Sequence, residues 1–235
     1  MAMNQLERLG CILDILRKEC PWDRVQTIES LRYLTIEEVY ELSDAIVALH
    51  EKGGAEAEAS NLKKELGDLL MHILFYSKIA EDRGLFGFED VAAAVSDKLV
   101  SRHPHIALPE RDGKMRQPTV TSHPGWEQVK MKEGRKSVLE GVPKGLPALV
   151  KAIRLQEKAA GIGFPGSIGE DCPKSPEKAP VAVPSEGVGD PKAWGDYLFA
   201  LVDYLRRNGI NADEALSEAN RHFFDRVAEW EQHTK

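Results

Sequence analysis

The spacing of apolar residues near the start of the chain limits the possible folds more than any other feature. In the first segment leucines recur at three- and four-residue steps: Leu6, Leu9, Leu13 and Leu16. This is the period of one face of an α-helix. Three more segments repeat it, at about 27–50, 61–82 and 88–102, with few β-branched alternations. The pattern predicts an all-α protein that opens with a four-helix-bundle-like repeat.

Proline, glycine and hydroxyl residues indicate where these helices end. Pro21 ends the first helix, because proline cannot continue the hydrogen-bond ladder. Thr35 and Glu38 fit a capping box, so the segment 27–50 is either one helix or two with a break near Leu34. Gly84 follows the third segment and His103-Pro104 the fourth, which separates four helices.

Beyond Pro104 the sequence is less regular. Residues 106–124 read as an exposed connection, and further helices are predicted near 126–135, 147–160, 192–207 and 212–232. A long stretch rich in proline, glycine and serine between the second and third of these is predicted to be mobile. The predicted organisation is an N-terminal helical domain at 1–122, connecting helices at 123–165, a mobile segment at 166–191 and a second helical repeat at 192–235.

The two ends of the chain resemble each other, which indicates an internal repeat. The phrase Gly-Asp-Leu-Leu at 67–70 corresponds to Gly-Asp-Tyr-Leu at 195–198, and each opens an apolar helix that ends near a glycine. Lys98 corresponds to His222, and Arg102 to Arg226. The second copy lacks most of the acidic residues of the first, so it is predicted to be an eroded repeat.

Composition excludes several classes of protein. The net charge is -7 and the pI about 5.6, which argues against stable nucleic-acid binding. The N-terminus has no signal-peptide pattern, and no stretch approaches the ~20 apolar residues of a membrane span. The three cysteines are widely spaced and form no CxxC pair. We therefore expect a cytoplasmic protein with no membrane partner, disulfide framework or zinc knuckle.

Two acidic phrases predict a metal site. They are Glu37-Glu38-Val39-Tyr40-Glu41 and Glu65-Leu66-Gly67-Asp68. On a helix, residues three apart share a face, so each phrase offers a pair of neighbouring carboxylates. Two such helices side by side would repel each other unless cations neutralised them. Mg²⁺ prefers oxygen ligands of this kind, and a Mg²⁺ site in turn suggests a phosphate-bearing substrate.

Each of these residues also has a simpler interpretation. Acidic pairs usually form a solvated helix face, and basic residues near a helix end, such as Lys98 and Arg102, often complement the helix dipole. Trp22 either stacks on a nucleobase or plugs the core. His72, one turn after Asp68, is either a neighbour of the ligands or a packed, hydrogen-bonded histidine.

An ordered set of phrases resembles the MazG-type nucleoside triphosphate pyrophosphohydrolases. These phrases are CPWD at 20–23 with Gln26-Thr27, EExxE at 37–41, ELGD at 65–68, SDKL at 96–99, RHPH at 102–105, WEQVK at 126–130 and LPAL at 146–149. The resemblance covers most of 6–165 and resumes more weakly at 193–232. It implies Mg²⁺-dependent hydrolysis of a nucleoside triphosphate to the monophosphate and pyrophosphate by a homodimer of helical bundles.

The resemblance also implies roles for particular residues. The metal ligands would be Glu38, Glu41, Glu65 and Asp68. Glu37 would be an additional acid near the metal. From the chemistry of the reaction, the general base that accepts a proton from the attacking water is assigned to Glu37 or Glu41. Lys98 and Arg102 would bind the triphosphate, and Trp22 would contact the nucleobase of the substrate. The alternative is a non-catalytic dimeric helical protein that senses nucleotides or binds a partner, with the eroded repeat as a sign of lost chemistry.

Overall fold

The computed structural model describes residues 3–164 and 190–234 of the chain. The chain divides into two compact units between Pro118 and Thr119. The segment predicted to be mobile, 166–191, lies outside the described residues except for its last two. Within the described residues, no helix is both long and apolar enough to cross a membrane.

The first unit contains five helices and a short hairpin in its described part. These are α1 (Gln5–Glu19), α2 (Pro21–Arg24), α3 (Ile28–Glu51), α4 (Glu56–Asp82), α5 (Phe88–Arg102), β1 (Leu108–Pro109) and β2 (Met115–Arg116). The second unit contains α6 (Trp126–Lys132), α7 (Ala148–Ala160), α8 (Pro191–Arg207) and α9 (Ala212–Thr234). The all-α prediction is confirmed.

Helix α3 is continuous, so the alternative of a break near Leu34 is wrong. A capping box does form, but at the start of the helix, where Thr27 N donates to Ser30 Oγ at 2.9 Å and Ser30 N donates to Thr27 Oγ1 at 3.1 Å. Thr35 is in mid-helix, where its hydroxyl donates to the carbonyl of Leu31 at 3.0 Å. Its side chain is thus engaged with its own helix and does not cap a new one.

Other boundaries differ from the predictions by local effects. Pro21 ends α1 and also begins α2, because its fixed φ suits the first position of a helix. Helix α4 begins at Glu56, five residues before the predicted start near 61, because the acidic and alanine-rich segment continues the helix. The expected loop at 106–124 includes the antiparallel pair β1–β2.

The core of the first unit lies between α1, α3 and α4. Its buried residues are Leu13, Leu31, Leu74, Phe75 and Ile79. At the edge of this core, Arg17 joins α1 to α4, because its Nε and Nη2 donate to Asp82 of α4 at 2.9 and 2.7 Å. The pairing of α3 with α4 is the most extensive in the unit, and it brings the two acidic phrases to the same interface.

The second unit repeats one local structure of the first. Gly84 after α4 and Gly209 after α8 have φ of 69° and 73°, a left-handed conformation that favours glycine. After each glycine, the next backbone N–H reaches back into the helix: Leu85 donates to Ala80 at 3.0 Å, and Ile210 donates to Leu205 at 2.9 Å. Both helices therefore end in a Schellman motif.

Candidate metal centre

Three of the predicted ligands converge where α3 passes α4. Carboxylate oxygens of Glu38, Glu65 and Asp68 lie within 4.8 Å of one another, and all three residues are half-buried. Among the residues that the structure describes, this is the one group of three or more acidic, histidine or cysteine side chains close enough to share a metal ion. The acids of the two phrases therefore face each other across the helix pair.

The electrostatics of the cluster centre on Glu38. Burial raises the pKa of its carboxyl group, and the charges of Asp68, Glu41, Glu65 and Glu37 raise it further, in that order. All five acids of the two phrases thus share one electrostatic environment. A bound divalent cation would relieve this repulsion, and the carboxylate donors match the ligand preference of hard cations. The residues present fit a divalent metal ion.

Glu37 and Glu41 lie outside the cluster of three. Both are exposed on α3, and their charges reach Glu38 without their oxygens joining the group within 4.8 Å. The role of Glu41 as a fourth ligand, and that of Glu37 or Glu41 as a general base, therefore stay predictions.

The predicted substrate-binding residues lie on other helices, Trp22 on α2 and the two basic residues on α5. Lys98 and Arg102 lie one turn apart on α5, a helix that packs against α4. Lys98 is exposed and Arg102 half-buried. Within the described residues Lys98 forms no ion pair with the cluster, so the structure does not bring it to the acids.

Trp22 is 53% exposed on α2, which does not support the interpretation that it plugs the core. The turn that carries it is fixed to α1, since Arg17 Nη1 donates to the carbonyls of Asp23 at 3.1 Å and Gln26 at 3.3 Å. The tryptophan is thus a surface side chain on a well-supported turn.

Sequence reasoning missed the polar contacts beside the cluster. Thr35 Oγ1 lies 2.8 Å from His72 Nδ1 and 2.7 Å from Tyr76 Oη, which joins α3 to α4. His72 is buried, as the packed interpretation predicts. The sequence spacing partly indicated these contacts, because Thr35 lies one helical turn before Glu38 and His72 lies one turn after Asp68.

The fold and the site together define an all-α protein with a carboxylate cluster whose donors fit a divalent cation. The protein-family model of the MazG nucleotide pyrophosphohydrolase domain matches residues 26–107 of this chain. The chain is 35% identical to a nucleoside triphosphate pyrophosphohydrolase of Escherichia coli (strain K12), over 98% of this chain and 88% of that protein. It is 34% identical to the nucleoside triphosphate pyrophosphohydrolase/pyrophosphatase MazG of Thermotoga maritima, over 96% and 85% of the two chains.

A third relative, a nucleoside triphosphate pyrophosphohydrolase of Mycobacterium tuberculosis, is 36% identical over 89% of this chain and 58% of its own. The chain belongs to the MazG family, which confirms the resemblance seen in the sequence. MazG pyrophosphohydrolases are metal-dependent enzymes, and the acidic cluster agrees with that property.

Proposed function

We propose that this protein hydrolyses nucleoside triphosphates to the monophosphate and pyrophosphate, with Mg²⁺ held by Glu38, Glu65 and Asp68 and Glu41 as a fourth ligand. The convergence of the three carboxylates within 4.8 Å is the observation that carries the proposal. The names of the relatives support the reaction. When bound, Mg²⁺ would offset the charge of the triphosphate and polarise the phosphorus that is attacked.

The chain's own residues have distinct tasks in this reaction. Water adds to the α-phosphorus while the bond from that phosphorus to the oxygen bridging to the β-phosphorus breaks. The proton of the water passes to Glu37 or Glu41, which are exposed and close to the cluster. Lys98 and Arg102 offset the negative charge that develops on the departing pyrophosphate, and Trp22 stacks on the nucleobase.

The first unit is the proposed catalytic unit, and 192–235 the degenerate repeat. Asp196, the counterpart of Asp68, is exposed on α8, and in the described part of the second unit it has no acidic cluster around it. Asp203, a buried acid in the described part of the second unit, forms ion pairs instead. Asp203 pairs with Arg206 and Arg207 on the same helix, α8.

The proposed assembly is a homodimer formed through the outer surfaces of α3 and α4. Large apolar side chains at least 37% exposed line these helices: Tyr33, Ile36, Val39, Tyr40, Ile46, Leu66, Leu70 and Ile73. Exposed apolar surface on this scale is typical of protein–protein interfaces, and a second copy would cover it. Sedimentation equilibrium tests this directly, and a monomer at micromolar concentration would refute it.

The product distinguishes this function from a binding module. Pyrophosphate, and not orthophosphate, should appear when a panel of nucleoside triphosphates is incubated with the protein and Mg²⁺. Glu38→Ala and Asp68→Ala should abolish release while leaving the helical circular dichroism unchanged. Lys98→Ala should reduce turnover far more than His222→Ala or Arg226→Ala. Absence of product with every nucleotide would instead favour the nucleotide-sensing alternative.

A further inference from the structure

A polar bridge crosses from α3 to α4 one helical turn from the acidic cluster. The Thr35 hydroxyl contacts three groups: the carbonyl of Leu31 at 3.0 Å, His72 Nδ1 at 2.8 Å and Tyr76 Oη at 2.7 Å. His72 is only 4% exposed. A buried polar side chain at a helix interface needs hydrogen-bond partners, and here the partner lies on the opposite helix.

Counting protons gives one self-consistent set of bond directions. A hydroxyl donates one hydrogen bond and accepts two. The Leu31 carbonyl can only accept, so the proton of Thr35 points to it. Both remaining contacts must then be bonds that Thr35 accepts, from the Tyr76 hydroxyl and from N–H at His72 Nδ1. Burial lowers the pKa of the His72 imidazole, with Asp68 partly opposing this, which favours the neutral ring. In this set of bond directions the proton of the neutral ring is on Nδ1.

We propose that Thr35, His72 and Tyr76 are positioning residues that hold the carboxylates of α3 against those of α4. Thr35 lies three residues before Glu38, and His72 lies four residues after Asp68, so each bridge residue shares a face with a proposed ligand. The bridge opposes the mutual repulsion of the acids, which would otherwise separate the helices at this point.

Hydrogen bonds suit this task better than apolar contacts. A shift of one residue along a helix moves a side chain by about 1.5 Å, which would break bonds of 2.7 and 2.8 Å. The bridge therefore contributes to the axial register of α3 on α4 at this point, and the register decides whether Glu38 meets Glu65 and Asp68.

The role in metal binding rests on the proposed function, so the test measures Mg²⁺ affinity by calorimetry on the full chain without nucleotide. Thr35→Val keeps the shape of the side chain and removes its hydroxyl. It should weaken Mg²⁺ binding about tenfold, the low end of the ~10–100-fold loss typical of partners that orient metal ligands. Thr35→Ser keeps the hydroxyl and should restore the affinity.

Ser77→Ala is the matched control. Ser77 is buried on α4 at 1% exposure, and its hydroxyl donates to Ile73 of the same helix at 2.8 Å. Its loss removes a buried hydroxyl without touching the bridge, so Mg²⁺ affinity should stay within about twofold of wild type. A Thr35→Val protein that loses no more affinity than Ser77→Ala would refute the positioning role.

Two measurements keep the test decisive. If Thr35→Val does not fold, Tyr76→Phe removes one bond and should weaken Mg²⁺ binding by a smaller factor, while unchanged affinity refutes the proposal. Imidazole ¹⁵N shifts should show His72 protonated at Nδ1, and protonation at Nε2 alone would contradict the bond directions. A folded wild-type chain that takes up no Mg²⁺ would refute the proposed metal site itself, whereas normal uptake by Thr35→Val refutes only the positioning role.

Discussion

Replacing Glu38 by glutamine should make the metal-free protein more stable and abolish its response to Mg²⁺. Glu38 is the acid whose pKa is raised by burial and by all four neighbouring carboxylates, so it experiences the most repulsion. Glutamine keeps the size and removes the charge. The substitution should thus raise the stability of the metal-free protein and remove the stabilisation by Mg²⁺. A general disturbance of folding would lower the stability in both conditions.

The size of the stabilisation follows from the separation of the charges. Two unit charges at 4.8 Å, the largest separation in the cluster, repel by about 0.9 kcal/mol in a medium as polar as water. Removing Glu38 eliminates two of the three pairs, which amounts to about 1.7 kcal/mol. For a unit of this size, 1 kcal/mol shifts Tm by about 4 °C, so the first unit should melt about 7 °C higher at low salt.

Differential scanning calorimetry with and without Mg²⁺ measures both effects. Wild type should gain about 2.7 kcal/mol at a hundredfold excess of Mg²⁺ over its Kd, while Glu38→Gln should gain almost nothing. Glu19→Gln is the control, because Glu19 is exposed on α1 and is not among the charges acting on Glu38. A Glu38→Gln protein that is less stable than wild type without metal, and still stabilised by Mg²⁺, would show that the cluster is not a cation site.

Three further outcomes are expected. Mg²⁺ affinity measured by calorimetry should fall as the pH is lowered toward the ordinary glutamate value of 4.5, because the raised pKa of Glu38 lets protons compete with the metal; a flat profile contradicts this. Burial lowers the pKa of His72, so below the ordinary histidine value of about 6.5 the unfolded chain binds a proton that the folded chain does not. Stability in urea should therefore decline as pH falls through that range, and His72→Gln should flatten the decline. Phe75→Ala removes a ring that is 2% exposed and should cost about 3–5 kcal/mol in urea unfolding, whereas a cost below about 1 kcal/mol would place the ring outside the core.

Much of the fold could be predicted because its signals are local. The bounds of α5 follow from glycines before it and His103-Pro104 after it, and the structure has them as predicted. Gly84 and Gly209 end their helices through backbone bonds that span only a few residues. The continuity of α3 was harder to predict, because Thr35–Glu38 fits a capping box in sequence, whereas in the structure the Thr35 hydroxyl bonds within α3 and contacts His72 of α4.

The sequence by itself determined that the chain is helical and which face of each helix carries acids, because helical periodicity is a property of neighbouring residues. The tertiary structure alone decided which acids meet. It placed Glu38 with Glu65 and Asp68 and left Glu41 outside that cluster, and it joined Thr35 to His72 across 37 positions of sequence. The physical reason is that the period of a helix fixes the direction of a side chain around its axis. The axial offset between two packed helices depends instead on the fit of their whole surfaces.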